Sequence, residues 1–184
     1  MTQPLWVATR KGLFQLHARD GWRLGAPSFL GDPVSMVLDD ARDGAVYAAL
    51  NLGHFGSKLH RSDDRGATWT VRPGSASGEA QVYALATVPG VPDRLFAGTR
   101  AGVELSGDAG LTFRPVGRDL PGLIHVSSLH VDRSRPQVIV AGTWRQAYRS
   151  EDGGQSWTDL AAVRTAPMHE RWQFPSPDHD PHLK

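Results

Sequence analysis

Ser62-Asp63-Asp64-Arg65-Gly66-Ala67-Thr68-Trp69 reappears as Ser106-Gly107-Asp108-Ala109-Gly110-Leu111-Thr112-Phe113 and again as Ser150-Glu151-Asp152-Gly153-Gly154-Gln155-Ser156-Trp157. The starts lie 44 residues apart in both steps, 62 to 106 and 106 to 150. Four features keep register: Ser, Asp two residues on, Gly two further, and an aromatic three beyond that. A shortened copy stands at Asp20-Gly21-Trp22. Each segment has the chemistry of a stapled hairpin. Asp accepts hydrogen bonds from amides further along the turn, Gly allows a positive φ, and the aromatic brings a large apolar surface to bury.

Outward from these turns, short β-type runs bounded by Gly, Pro and Asp repeat with the same period. One set is Val34 to Leu38, Val82 to Thr87 and Val126 to Val131. A second is Leu5 to Thr9, Val46 to Leu50, Leu95 to Thr99 and Val138 to Thr143, with small pairs at Ala48-Ala49, Ala97-Gly98 and Ala141-Gly142 that let neighbouring sheets approach. A third (Gly12 to Leu16, Ser57 to Arg61, Gly102 to Leu105, Gln146 to Arg149) enters the turns, and a fourth (Thr68 to Arg72, Thr112 to Val116, Ser156 to Leu160) leaves them. Four strands in roughly 40 to 45 residues is the size of a β-propeller blade. Helical solenoids are excluded, because no window keeps a 3.6-residue apolar period free of Gly and Pro. The expected fold is all-β, a partial propeller of about four blades. It divides into an incomplete blade over 4–24, blades at 30–73, 78–117 and 122–161, and a Pro/His-rich tail over 161–184 leading into a further blade.

The Ser-x-Asp-x-Gly-x-Thr-Trp pattern resembles the Asp box, or bacterial neuraminidase repeat, of sialidases, sortilin-type receptors and bacterial propellers named as glycosyl hydrolases. The resemblance spans roughly residues 5 to 160. It implies that the box joins third and fourth strands on the face away from the channel mouth. Ser62, Asp64, Gly66, Trp69, Ser106, Asp108, Gly110, Phe113, Ser150, Asp152, Gly154 and Trp157 are then structural. A calcium loop is excluded at Asp63, which lacks the spaced oxygen ligands and terminal bidentate Glu. Sialidase chemistry needs an arginine triad, a Tyr nucleophile with a Glu partner, and an acid. The three tyrosines, Tyr47, Tyr83 and Tyr148, lie inside strand patterns without a Glu companion, and Glu104 reads as an ordinary strand position.

Composition narrows the partners. Lys plus Arg number 20 against 19 Asp plus Glu, a net charge of +1 that creates no long-range field for nucleic acid or an anionic membrane. With no cysteine, disulfides and thiolate metal sites are excluded. No apolar run reaches signal-peptide or membrane-helix length, so a cytoplasmic location is expected. Neither a cofactor nor a metal is assigned.

Candidate binding residues come from the loops that surround a propeller's channel mouth. Loops between second and third strands carry Arg10 and Lys11, Asn51 with His54, Arg100, and Trp144 with Arg145. Inter-blade segments add Asp32, Gln81, His125 and, in the tail, His182. Arg10, Arg100 and Arg145 hold similar places in different repeats and could converge on an anion; solvated turn residues would look the same. The reading favoured is a non-enzymatic module, part of a longer propeller, binding a small ligand, glycan or protein at the channel mouth, with a sialidase-like glycoside hydrolase as the alternative. An arc of blades leaves open edges, so the isolated chain is expected either to pair with a second copy, face to end, or to be poorly soluble and loosely ordered over its last 20 or so residues.

Overall fold

The computed structural model describes residues 4–18, 21–76, 81–117, 125–143 and 146–165, with the backbone alone at positions 54 and 164. The chain is all-β and forms four antiparallel sheets, a section of a β-propeller. The first sheet has three strands, β1 (Leu5–Thr9), β2 (Gly12–Ala18) and β3 (Trp22–Leu24). The second is β4 (Val34–Asp39), β5 (Val46–Asn51), β6 (Ser57–Ser62) and β7 (Thr70–Arg72). The third is β8 (Val82–Thr87), β9 (Leu95–Thr99), β10 (Gly102–Ser106) and β11 (Arg114–Val116). The fourth is β12 (Ser128–Val131), β13 (Ile139–Gly142), β14 (Ala147–Ser150) and β15 (Thr158–Asp159), followed by one helical turn, α1 (Ala161–Arg164). Every sheet is a meander in chain order. Among the described residues no helix is long and apolar enough to cross a membrane.

Strand alternation explains why the middle strands are buried on both faces. On β5, Val46, Ala48 and Leu50 pack with Trp6 and Leu13 of the first sheet, while Tyr47 and Ala49 pack with Leu85, Leu95 and Ala97 of the third. On β9, Leu95 and Ala97 face back to the second sheet and Phe96 faces forward to Ile139, Tyr148 and Trp157 of the fourth. Side chains at i and i+2 thus join one interface and the residue between joins the next. The small residues read from the sequence set the spacing. A Cβ on Gly98 would lie 2.7 Å from the Val126 carbonyl oxygen, so only Gly allows the chain entering the fourth sheet to lie this close.

The three Ser-Asp turns superimpose bond for bond. Each serine hydroxyl donates to the aspartate Oδ1 two residues on, at 2.8 Å from Ser62, 2.8 Å from Ser106 and 2.9 Å from Ser150. The serine hydroxyl oxygens in turn accept the amides of Gly66, Gly110 and Gly154 at 2.7, 2.8 and 2.8 Å. The aspartates accept one amide each, from Thr68, Thr112 and Ser156 at 2.8 Å, and the hydroxyls of those residues at 2.6 Å. These hydroxyl and amide bonds hold Asp64 and Asp152 down to a pKa of about 2.

The structure refines the reading of the turns at three points. Asp64 and Asp152 are exposed, and the buried polar member is serine, with Ser62, Ser106 and Ser150 each 1 % exposed. Positive φ is required at two successive positions, at Arg65, Ala109 and Gly153 as well as at the glycine that follows each. Trp69 is half-buried rather than sealed between sheets like Phe113 and Trp157. Its ring packs at a tilt against Phe29, with centroids 4.9 Å apart, and donates to the Ser28 hydroxyl at 3.2 Å, beside the bridge that Ser28 forms with Leu13 of the first sheet. The stapling energy therefore sits on serine. Ser106→Ala strips an acceptor from a buried amide and should cost about 1–2 kcal/mol in urea unfolding. Asp108→Ala acts at the solvent-facing side of the turn and should cost less, and a reversed order would refute this assignment.

Candidate functional site

The loops between second and third strands are built alike. Thr9 Oγ1 donates to the Gly12 carbonyl at 2.9 Å and accepts the Lys11 amide at 3.0 Å, and Thr99 does the same with Gly102 at 3.0 Å and Ala101 at 3.1 Å. Thr143 donates to the Gln146 carbonyl at 3.0 Å across residues 144–145. The threonine locks a tight turn whose next residue, Arg10 or Arg100, projects exposed from the tip. The second sheet uses Asn51 instead. Its side chain accepts the Gly53 amide at 3.3 Å and opens a short 3₁₀ turn, Gly53–Phe55.

Because strands alternate in direction, these loops lie at the opposite sheet ends from the Ser-Asp turns. Two clefts meet there. The larger, about 660 Å³, is lined by Arg10, Asp32, Ser35, Asn51 and Phe55 over a floor that includes Val34 and Leu52. The smaller, about 310 Å³, shares Asn51 and Gly53 and adds Gln81 and Arg100. Backbone bonds fix their relation: the Asn51 amide donates to Pro33 at 3.0 Å, the Arg100 amide to Gln81 at 3.3 Å, and the His125 amide to the Arg100 carbonyl at 3.0 Å. His125 takes a left-handed φ of 52° to make that bond.

Of the residues named from the sequence, Arg10, Asp32, Asn51, Gln81 and Arg100 line this double cleft, and His125 abuts it through Arg100. Lys11 is exposed at the first turn but lines neither part. The side chain of His54, together with Trp144, Arg145 and His182, lies outside the described residues. Phe55 was overlooked. At 83 % exposure it is a bare aromatic at the cleft edge, and its signal was a large apolar residue inside the Asn-Leu-Gly-His-Phe-Gly loop. Among the described residues no three His, Asp or Glu side chains gather as a metal ligand set.

One other polar group, a buried carboxyl, escaped sequence reasoning. Glu104 is not an ordinary strand position: it is 3 % exposed between the second and third sheets and accepts the Ala76 amide at 2.6 Å. Burial pushes its carboxyl above the usual glutamate range. Tyr47 is fully buried, with its hydroxyl accepting from Arg61 at 2.6 Å and donating to the Ala109 carbonyl at 3.3 Å. It is a structural tyrosine, far in the fold from the clefts.

No protein-family model matches the sequence, and no curated protein matches it either. Solved structures are similar in fold. The chain aligns with the crystal structure of an ancestral GH74 enzyme at 18% identity and a TM-score of 0.61, over 84% of this chain and 22% of that one. It aligns with the extracellular domain of a putative one-component system from B. thetaiotaomicron at 18% identity and 0.54, over 76% of this chain and 19% of that one. A protein of unknown function from Dyadobacter fermentans aligns at 21% identity and 0.50, over 82% and 58%. The chain thus spans about a fifth of the first two structures. These likenesses establish a β-propeller architecture.

Proposed function

We propose that the chain is a non-enzymatic propeller module that binds a glycan in the double cleft between the Arg10, Asn51–Phe55 and Arg100 loops. The observation that carries this reading is the pairing of exposed Phe55 with Arg10, Asp32 and Asn51 around one open cleft. A sugar ring offers an apolar C–H face and a rim of hydroxyls. An exposed aromatic receives the first, and planar side chains that donate and accept in pairs receive the second. The size and few polar groups suit a small ligand or a short stretch of a chain. One of the similar structures is a GH74 enzyme, a glycoside hydrolase, which is in keeping with a carbohydrate ligand.

A hydrolase reading fares less well on the same residues. Canonical glycoside hydrolysis uses two carboxyl groups facing each other across the bond, and among the described cleft residues Asp32 is the one carboxylate. The nucleophilic tyrosine of a sialidase-like enzyme has no counterpart among them.

Calorimetric titration with a panel of neutral and acidic oligosaccharides, beside a fluorogenic glycoside screen, tests the proposal. Binding is expected without turnover. Phe55→Ala and Arg100→Ala should each weaken it by about tenfold or more, as loss of a stacking face or a charged hydrogen bond does. Turnover abolished by Asp32→Asn would favour the hydrolase, and binding indifferent to both variants would place the ligand elsewhere.

A further inference from the structure

We propose that His60 is a proton-triggered release for the segment 28–32, which carries Asp32 into the larger cleft. The pairing His60↔Ala48 puts His60 on the face of β6 turned to the first sheet, since Ala48 packs with Trp6 and Leu13. Phe29 covers the imidazole, with ring centroids 4.8 Å apart, and packs in turn against Trp69. His60 is only 9 % exposed, and its Nδ1 is buried without a hydrogen-bond partner. A neutral ring tolerates this, because Nδ1 can stay unprotonated. Protonation makes both nitrogens donors and adds a charge, where Nδ1 finds neither acceptor nor water. The attraction of a cation for the Phe29 ring offsets only part of that lost hydration.

The segment over His60 holds strain that such a change can release. Phe29 has a φ of 54°, in the left-handed region that a bulky side chain avoids. Packing on His60 and Trp69 keeps it there, between two backbone bonds of 2.8 Å that join Ser28 to Leu13 and the Asp32 amide, which donates to the Phe29 carbonyl at 3.0 Å. Asp32 lines the cleft with Arg10, so a shift of Phe29 moves a cleft carboxylate. Few charges face the ring. The flanking strands present Ala48 and Val71 opposite it, and Arg10 and Lys11 at the adjoining turn are exposed. Burial, and next the Lys58 charge, hold the imidazole below the usual histidine range, while the Lys58 carbonyl and the Asp32 carboxylate oppose them more weakly. The released form therefore takes up the proton first, and the clamped form loses ground as pH falls below about 6.5. Ligand release at acid pH rests on the glycan reading above, whereas the movement itself shows in the free chain.

Proton and nitrogen NMR of the full, ligand-free chain between about pH 8 and pH 5 tests it. The amide signals of Phe29, Leu30, Gly31 and Asp32 should shift together with the His60 ring, at a pH below that of an open histidine, and the melting temperature should fall by about 2–4 °C over the same range. His60→Phe keeps an aromatic ring and cannot be protonated, so its segment signals should stay fixed and its melting temperature should lose that part of the pH dependence. His60→Gln gives the same comparison if the phenylalanine does not fit. Segment signals that hold still while His60 takes its proton overturn the proposal, as does a ring that titrates like an open histidine or is still neutral at pH 5. It is overturned equally if the segment moves as much in His60→Phe and His60→Gln, which would make Asp32 or another acid the source.

Discussion

Arg42→Ala is expected to lower unfolding free energy by about 3 kcal/mol, although Arg42 lies in a loop and belongs to no strand. Its guanidinium bridges two sheets. Nε donates to Asp40 Oδ1 at 2.9 Å and Nη2 to Oδ2 at 2.7 Å, a bidentate pair on a carboxylate only 1 % exposed. Nη1 reaches across to the loop between β8 and β9 and donates to the carbonyls of Val88, Val91 and Arg94 at 3.1, 2.6 and 2.8 Å. Removing the arginine leaves a buried carboxylate and three carbonyls without this donor, and that loss dominates the cost. Hydrogen bonds from the Arg42 side chain and amide, together with its charge, hold Asp40 below the usual aspartate range despite its burial, so the pair should contribute above about pH 4 and fade as Asp40 is protonated. Arg42→Lys should recover little, since one ammonium cannot reproduce the fork. Urea unfolding at neutral pH decides the matter. A cost below about 1 kcal/mol would show the bridge to be a solvated surface pair. The corresponding loop of the fourth sheet carries Asp132 and Arg135, whose pair at 3.0 Å leaves the arginine side chain 58 % exposed.

Gly66→Ala should prove at least as damaging, and a matched glycine separates its two causes. Gly66 has φ of 91°, and Gly31, outside the turns, has 95°. Alanine at either position meets comparable backbone strain, about 1–2 kcal/mol. At Gly31 the new methyl would meet nothing within 4 Å. At Gly66 it would lie 2.5 Å from the Trp6 ring and 2.9 Å from Gln15 Nε2. Trp6 cannot retreat, because it packs edge-on against Trp69 and belongs to the core between the first two sheets. Overpacking of this kind adds about 1–3 kcal/mol. Gly66→Ala should therefore lose about 3 kcal/mol or more and Gly31→Ala only about 1–2. Equal losses would mean that strain alone sets the need for glycine in the turn.

Legibility differed sharply between parts of the molecule. The strand runs at Leu5–Thr9, Val82–Thr87 and Leu95–Thr99 stand in the fold as the sequence implies, because alternation and turn residues act within a few positions. The strands after the turns are shorter than their sequence runs, β15 being two residues, since Thr68, Thr112 and Ser156 spend their amides on the turn aspartates. For the cleft, the repeat phase located Arg10, Asn51 and Arg100, whose equivalence depends only on counting from each turn. Phe55 was not legible, because an apolar residue in a loop reads the same whether it is tucked under or bare.

What the sequence determined by itself is the all-β repeat and the hairpin staples, since every Ser-Asp-Gly-Thr hydrogen bond closes within four residues and needs no distant partner. The tertiary structure alone decided which of those groups are buried, and that Glu104 and Arg42 serve between sheets. Burial is set by what packs against a side chain, and here the packing partners come from the neighbouring repeat, as with Arg42 and the carbonyls of residues 88, 91 and 94. A local pattern says which face of a strand a residue occupies, and only the stacking of whole sheets says whether that face is covered.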